Sequence, residues 1–97
     1  MEYQGRKIML KTNVIDVKKR IDNLVSQFNG WGKDNEKLTS LSLHFYTSEE
    51  HPLTMGEVAH FLNSTTSIID GCNIEWSSET DETLNQQIVI EIIFNNK

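Results

Sequence analysis

Gln87-Ile88-Val89-Ile90-Glu91-Ile92-Ile93-Phe94 is the stretch that decides the fold. Ile88, Ile90, Ile92 and Phe94 share one face, and Val89, Glu91 and Ile93 share the other, which is the two-residue period of a strand. Apolar side chains occupy both faces, and such a strand belongs in the middle of its sheet. The rest of the chain must therefore supply strands on either side of it and a layer to cover it.

Working outward, three more segments alternate. Leu38 to Thr47 places Leu41, Leu43 and Phe45 on one face and Ser40, Ser42, His44 and Tyr46 on the other. Cys72, Ile74 and Trp76 alternate with Asn73, Glu75 and Ser77. Ser78 to Asn85 is polar and reads as a hairpin connection into the last strand. Arg6 to Lys11 alternates as well, Ile8 and Leu10 against Lys7, Met9 and Lys11, and its lysine-bearing face suits an edge.

Between the strands the period lengthens. Val14, Val17, Ile21, Leu24, Val25 and Phe28 form one helical stripe. Asn13 is placed to cap it, Asp16 lies in the first turn, and Asn29-Gly30 is placed to end it. Asp16 and Arg20, four apart, are expected to pair on the outer face. Lys18, Lys19 and Arg20 read as a solvated basic face. Trp31 to Lys37 reads as a polar connector, since its Gly30-x-Gly32 does not link a strand to a helix start. Thr54 and Glu57 form a capping box. The second helix then carries Met55, Val58, Ala59 and Leu62 on its buried stripe, with Phe61 at the margin.

The order is β-α-β-α-β-β. The expected architecture is α+β in two layers, a four-stranded mixed sheet with two helices on one face. Leu24, Phe28, Leu41, Phe45, Leu62, Ile74, Trp76, Ile90 and Ile92 are the expected core.

Ninety-seven residues make one domain, residues 1–97. Apolar residues are 37% of the chain, too few for a third layer. A net charge of −5 repels phosphate backbones and argues against nucleic acid. No apolar run reaches the roughly 18 residues of a membrane span, and no charged-then-apolar leader opens the chain. The single cysteine, Cys72, excludes an internal disulfide and a cysteine-cluster zinc site; with it we expect a cytoplasmic protein and an inert core thiol.

Chemistry is sparse. His44, His51 and His60 share no metal-ligand spacing. Glu49-Glu50 and Asp81-Glu82 are adjacent carboxylates in expected loops, and adjacent side chains point apart. No Walker loop and no G-x-S-x-G is present. We expect no assembled nucleophile, base and orienting group, no metal, no cofactor and no enzymatic activity. The helix-free face of the sheet remains. It carries Met9, Ser40, Ser42, His44, Tyr46, Asn73, Glu75, Val89, Glu91 and Ile93, and an apolar patch rimmed by polar groups marks an interface. Met9, His44, Tyr46, Val89, Glu91 and Ile93 are the candidate contact residues.

The segment from Cys72 to Ile93 resembles the end of the C-terminal domain of the bacterial cell-division protein FtsZ, where the pattern runs A-N-I-I-F-G-x-x-I-D-E-x-L-G-D-E-V-R-V-T-V-I. Asn73, Ile74, Asp81, Glu82 and Leu84 match it outright, and Trp76, Ile88, Ile90 and Ile92 match in kind. Leu41 to Thr47 is similar to that family's strand V-L-V-N-I-T, and Leu53 to Val58 to its helix opening L-x-x-x-E-V. The resemblance covers residues 6–94, with its specificity in 41–94. It implies a tubulin/FtsZ C-terminal domain standing alone, a fold also seen in chorismate-mutase-like trimers. The family's glycine-rich nucleotide loop and its acidic loop have no counterpart here, so the resemblance implies no GTP binding. The expected function is a protein-interaction module, docking a partner or itself in cell division. The alternative is a small trimeric binder or enzyme of the chorismate-mutase-like fold, whose anionic substrates would need arginines. Only Arg6 and Arg20 are available.

Overall fold

The computed structural model describes residues 6–13, 16–33 and 38–96. Four strands, β1 (Arg6–Lys11), β2 (Leu38–Thr47), β3 (Asn73–Thr80) and β4 (Val89–Asn96), form one sheet in the order β1-β4-β2-β3. β4 pairs antiparallel with β1 and with β2, and β2 pairs parallel with β3. The strand apolar on both faces is thus central, and the lysine-bearing β1 is an edge. β3 and β4 do not pair, because β2 lies between them, so Ser78 to Asn85 is a crossing and not a hairpin. β3 itself extends through Thr80, and Leu84 within the crossing is buried.

Three helices, α1 (Arg20–Lys33), α2 (Met55–Ser64) and the single-turn α3 (Thr66–Ile69), accompany the sheet. Ile21, Leu24 and Phe28 of α1 and Phe61 of α2 join Leu41, Leu43, Phe45, Ile88, Ile90, Ile92 and Phe94 in one buried cluster on one face of the sheet. Each fully buried phenylalanine contributes about 1.5–3 kcal/mol. Phe61 sits at the centre, its ring 5.4 Å from Phe28 and 5.8 Å from Phe45. Met55 and Ala59, expected to be covered, are exposed, and Leu62 is half-buried. The stripe of α2 is rotated because Phe61, its largest apolar side chain, takes the place facing the sheet.

Leu38 is buried although it shares parity with Ser40. A register irregularity between Leu38 and Ser40 inserts a residue and turns Leu38 into the core. Trp76 is 37% exposed, against expectation, and Ile74 is half-buried. Both lie on β3, the outer strand, whose helix-side face reaches past the cover that α2 provides.

The first helix also differs from its sequence reading. Asp16 caps a 3-10 turn, Val17–Lys19, by accepting from Lys18 N, and α1 follows directly. Asn13 instead donates its N–H to Asn23 Oδ1. Val14 lies outside the described residues. Asn29-Gly30 does not stop the helix, which runs on to Lys33. Trp31, expected in a loop, lies in this last turn, 4.9 Å from Phe94 and 5.4 Å from Phe28. Gly32 packs so closely that a Cβ there would lie 2.6 Å from Ile68 Cγ2. Aromatic burial and that close approach outweigh the helix-ending preference of Asn-Gly. Cys72 is half-buried, and its thiol donates to Leu38 O.

Candidate functional site

The strand register lays the helix-free face out as rows that cross all four strands. One row runs Lys11, Val89, Tyr46, Glu79; the next Met9, Glu91, His44, Ser77; the third Lys7, Ile93, Ser42, Glu75. All six candidate contact residues therefore share one continuous surface. Met9 is 55% and Ile93 38% exposed, while Val89, Tyr46, His44 and Glu91 are half-buried. Ile93 and Val89 are one diagonal step from Met9, so the three apolar side chains lie around Glu91 on the same face. Lys7 Nζ reaches in from the edge strand to 3.1 Å from Glu91 Oε2. Desolvation raises the Tyr46 phenol above its ordinary value, and the Glu91 and Glu79 carboxylates push the same way. A shallow hollow of about 210 Å³ opens between β2 and β3, lined by Ser40, Ser42, Asn73, Glu75 and Ile93 with Leu41 and Ile74.

One arrangement on this face was not expected. Ser77 Oγ lies 2.6 Å from His44 Nδ1, and His44 Nε2 lies 2.9 Å from Glu79 Oε1. Parallel pairing sets Ser77 directly opposite His44, with Glu79 two residues on along the same face. The order hydroxyl, imidazole, carboxylate is that of a nucleophile, a base and an orienting group. Nothing in a single sequence announces it, because its members are brought together by the register of strands 33 residues apart. The trio lies on an open sheet, with the Glu79 side chain 62% exposed. Ser77 turns its own amide toward β2, while the amides of Trp76 and Ser78 point out along the open edge of β3, away from the Ser77 hydroxyl.

The second polar constellation is buried. Arg20 is 1% exposed, and it pairs with Glu57, not with Asp16. Its Nε and Nη2 donate to the two Glu57 carboxylate oxygens at 2.7 and 2.8 Å. Nη1 donates to His51 O and Gln86 O, and Nη2 also donates to Pro52 O. All five guanidinium N–H groups are satisfied. Burial pushes the Glu57 carboxyl up, but hydrogen bonds from Arg20 and from the Thr54 backbone, with the guanidinium charge, outweigh it and hold it below the ordinary value. Glu57 also completes the capping box, accepting from Thr54 N while Thr54 Oγ1 accepts from Glu57 N. Arg20 thus ties the start of α1 to the cap of α2 and to the crossing before β4. A cleft of about 350 Å³ opens beside it, along Val17, Lys18, Glu50, His51 and Thr54. With every donor engaged inside the chain, Arg20 has none left for an anion in that cleft.

His60 lies 2.6 Å from Asp22 and bridges α2 to α1. Among the described residues no group of three His, Cys, Asp or Glu is placed to hold a metal ion. No helix among them is long and apolar enough to cross a membrane.

No known family model matches this chain, and no curated protein does. Solved structures do. An empty FtsZ dimer from M. jannaschii matches with a TM-score of 0.65 and 19% identity over 91% of this chain and 26% of that one. A point mutant of the same FtsZ matches with a TM-score of 0.67 and 17% identity, over 93% and 27%. Thiamine monophosphate kinase from Aquifex aeolicus matches more loosely, at 0.52 and 10% identity over 96% and 33%. The α+β architecture is that of the tubulin/FtsZ C-terminal fold. Identities this low establish the fold alone, and the chain spans about a quarter of the FtsZ chains it resembles.

Proposed function

We propose that this domain is a protein-interaction module of the FtsZ C-terminal kind, serving cell division in the cytoplasm of a bacterium without GTPase or other enzymatic activity of its own. Its docking surface is the helix-free face, for a protein partner or a second copy. The observation that carries this reading is that Met9, Val89, Ile93 and Tyr46 share one face and surround Glu91, with Lys7 and His44 beside them. The FtsZ-like fold supports it. The trimeric-binder alternative is disfavoured because one of the two arginines, Arg20, is consumed internally.

A photo-crosslinking residue at Met9 should capture the partner in cells, and one at Met55, still more exposed but outside the helix-free face, should not. Adding Val89→Thr with Ile93→Thr should remove the Met9 crosslink and leave the fold intact. Crosslinks of equal yield from both positions, or a Met9 crosslink indifferent to the double substitution, overturn the reading. Calorimetry with GTP and magnesium should give no heat of binding; micromolar affinity would contradict a module without nucleotide chemistry.

A further inference from the structure

The two outer strands carry opposite charge. β1 has Arg6, Lys7 and Lys11 and no acidic residue; β3 has Glu75 and Glu79 and no basic one, and Asp81-Glu82 follow it. Neither has a further strand beside it among the described residues. Lys7 and Lys11 are four apart, as are Glu75 and Glu79, and they end the same two rows of the helix-free face. β1 opposes β4, β4 opposes β2, and β2 runs with β3, so the two edges point the same way.

Their backbones are complementary too. Thr12 N donates to Ile88 O, so by antiparallel alternation the even residues of β1 bond β4, and Lys7, Met9 and Lys11 turn their N–H and C=O outward. Asp81 N donates to Thr47 O, so the odd residues of β3 bond β2, and Ile74, Trp76 and Ser78 turn theirs outward. A parallel ladder sets residues with groups directed into the pair opposite residues whose groups point away. Lys7 opposite Glu75 and Met9 opposite Ser77 meet that rule. Lys11 O is already occupied by Gln27 Nε2 at 2.8 Å, so the ladder would run through Lys7 and Met9. The same register sets half-buried Ile8 opposite Trp76, the aromatic that the domain's own helices leave 37% exposed. Aromatic and β-branched side chains pair well across strands.

We infer that the partner of these edges is a second copy of this chain: β1 of one copy pairs in parallel with β3 of the next, Lys7 against Glu75, Ile8 against Trp76 and Lys11 against Glu79, continuing one sheet from copy to copy. Pairing β1 with β1, or β3 with β3, would set like charges together, so the contact is head-to-tail and open. Lys7 now contacts Glu91 and Glu79 contacts His44, but Lys7 and Glu79, the members that would change partner, are 57% and 62% exposed, and exposed pairs exchange at little cost.

Sedimentation of the intact chain across the micromolar to millimolar range tests this. The average mass should climb steadily without stopping at a dimer. Lys7→Glu with Lys11→Glu should sediment as a monomer, and so should Glu75→Lys with Glu79→Lys. Mixed together, these two variants present opposite charges at every junction and should recover the association. Met9→Pro, which removes an outward N–H and no bond to β4, should also be monomeric with an unchanged circular dichroism spectrum. A parent that stays monomeric, a closed dimer, reversed variants that associate like the parent, or a mixture that does not recover would each overturn the inference. Val89→Thr with Ile93→Thr, on the face proposed above for docking, separates the two surfaces: self-association kept by this variant places the copy-to-copy contact at the edges, and self-association lost by it alone places the contact on the face and overturns the inference.

Discussion

Arg20 with Glu57, and His44 with Ser77 and Glu79, are both polar clusters built from residues far apart in sequence, but they stand in opposite physical situations. The first is buried, and each donor meets an acceptor fixed by a helix cap or a loop. The second lies on an open face, where water can replace any member. Burial multiplies the worth of a polar contact and also the penalty of leaving it incomplete. The first cluster should therefore hold the fold, and the second can be altered with the fold unchanged.

The sharpest break of that contrast is Arg20→Ala. It strands the Glu57 carboxylate and the carbonyls of His51, Pro52 and Gln86, and should cost about 3–5 kcal/mol, read by urea unfolding. A loss under about 1 kcal/mol would mean that water already reaches the cluster.

Glu57→Gln keeps the shape and removes the charge, and should cost about 1–3 kcal/mol near neutral pH. The sign of its pH dependence follows from the depressed carboxyl. The stabilisation is complete above the unfolded glutamate value and is lost as pH falls through the folded value. Parent and variant should thus converge in stability on acidification, and a gap unchanged down to acid pH would refute the linkage.

Gly32→Ala tests packing without charge. The new Cβ meets Ile68 at 2.6 Å, so α1 or α3 must shift, at about 1–3 kcal/mol by thermal unfolding. At the far end of the scale, His44→Ala should change stability by no more than about 0.5 kcal/mol, since its partners turn to water. A larger loss would place the exposed trio with the buried clamp.

What could be read from residue order follows the same division. Alternation located β1 and β2 in full and β4 within two residues at each end, and its two-sided apolar pattern marked β4 as central. The capping box was legible because it is local: Thr54 and Glu57 are three residues apart. Arg20 was misread because the nearby carboxylate, Asp16, is a plausible partner at helical spacing, whereas Glu57 lies 37 residues away. Trp76 was misread because alternation gives the face of a side chain but not whether its strand is an edge.

Periodicity and local capping are properties of neighbouring residues, so the sequence by itself determined the four strands and the two longer helices, their order, the α+β class and the polar character of the helix-free face. The clamp on Arg20, the rotation of α2 onto Phe61, the trio at His44 and the opposed charges of the two edges depend on which distant strands and helices become neighbours. Only the tertiary structure decided these, because strand register and helix packing are selected by the burial of the whole core at once.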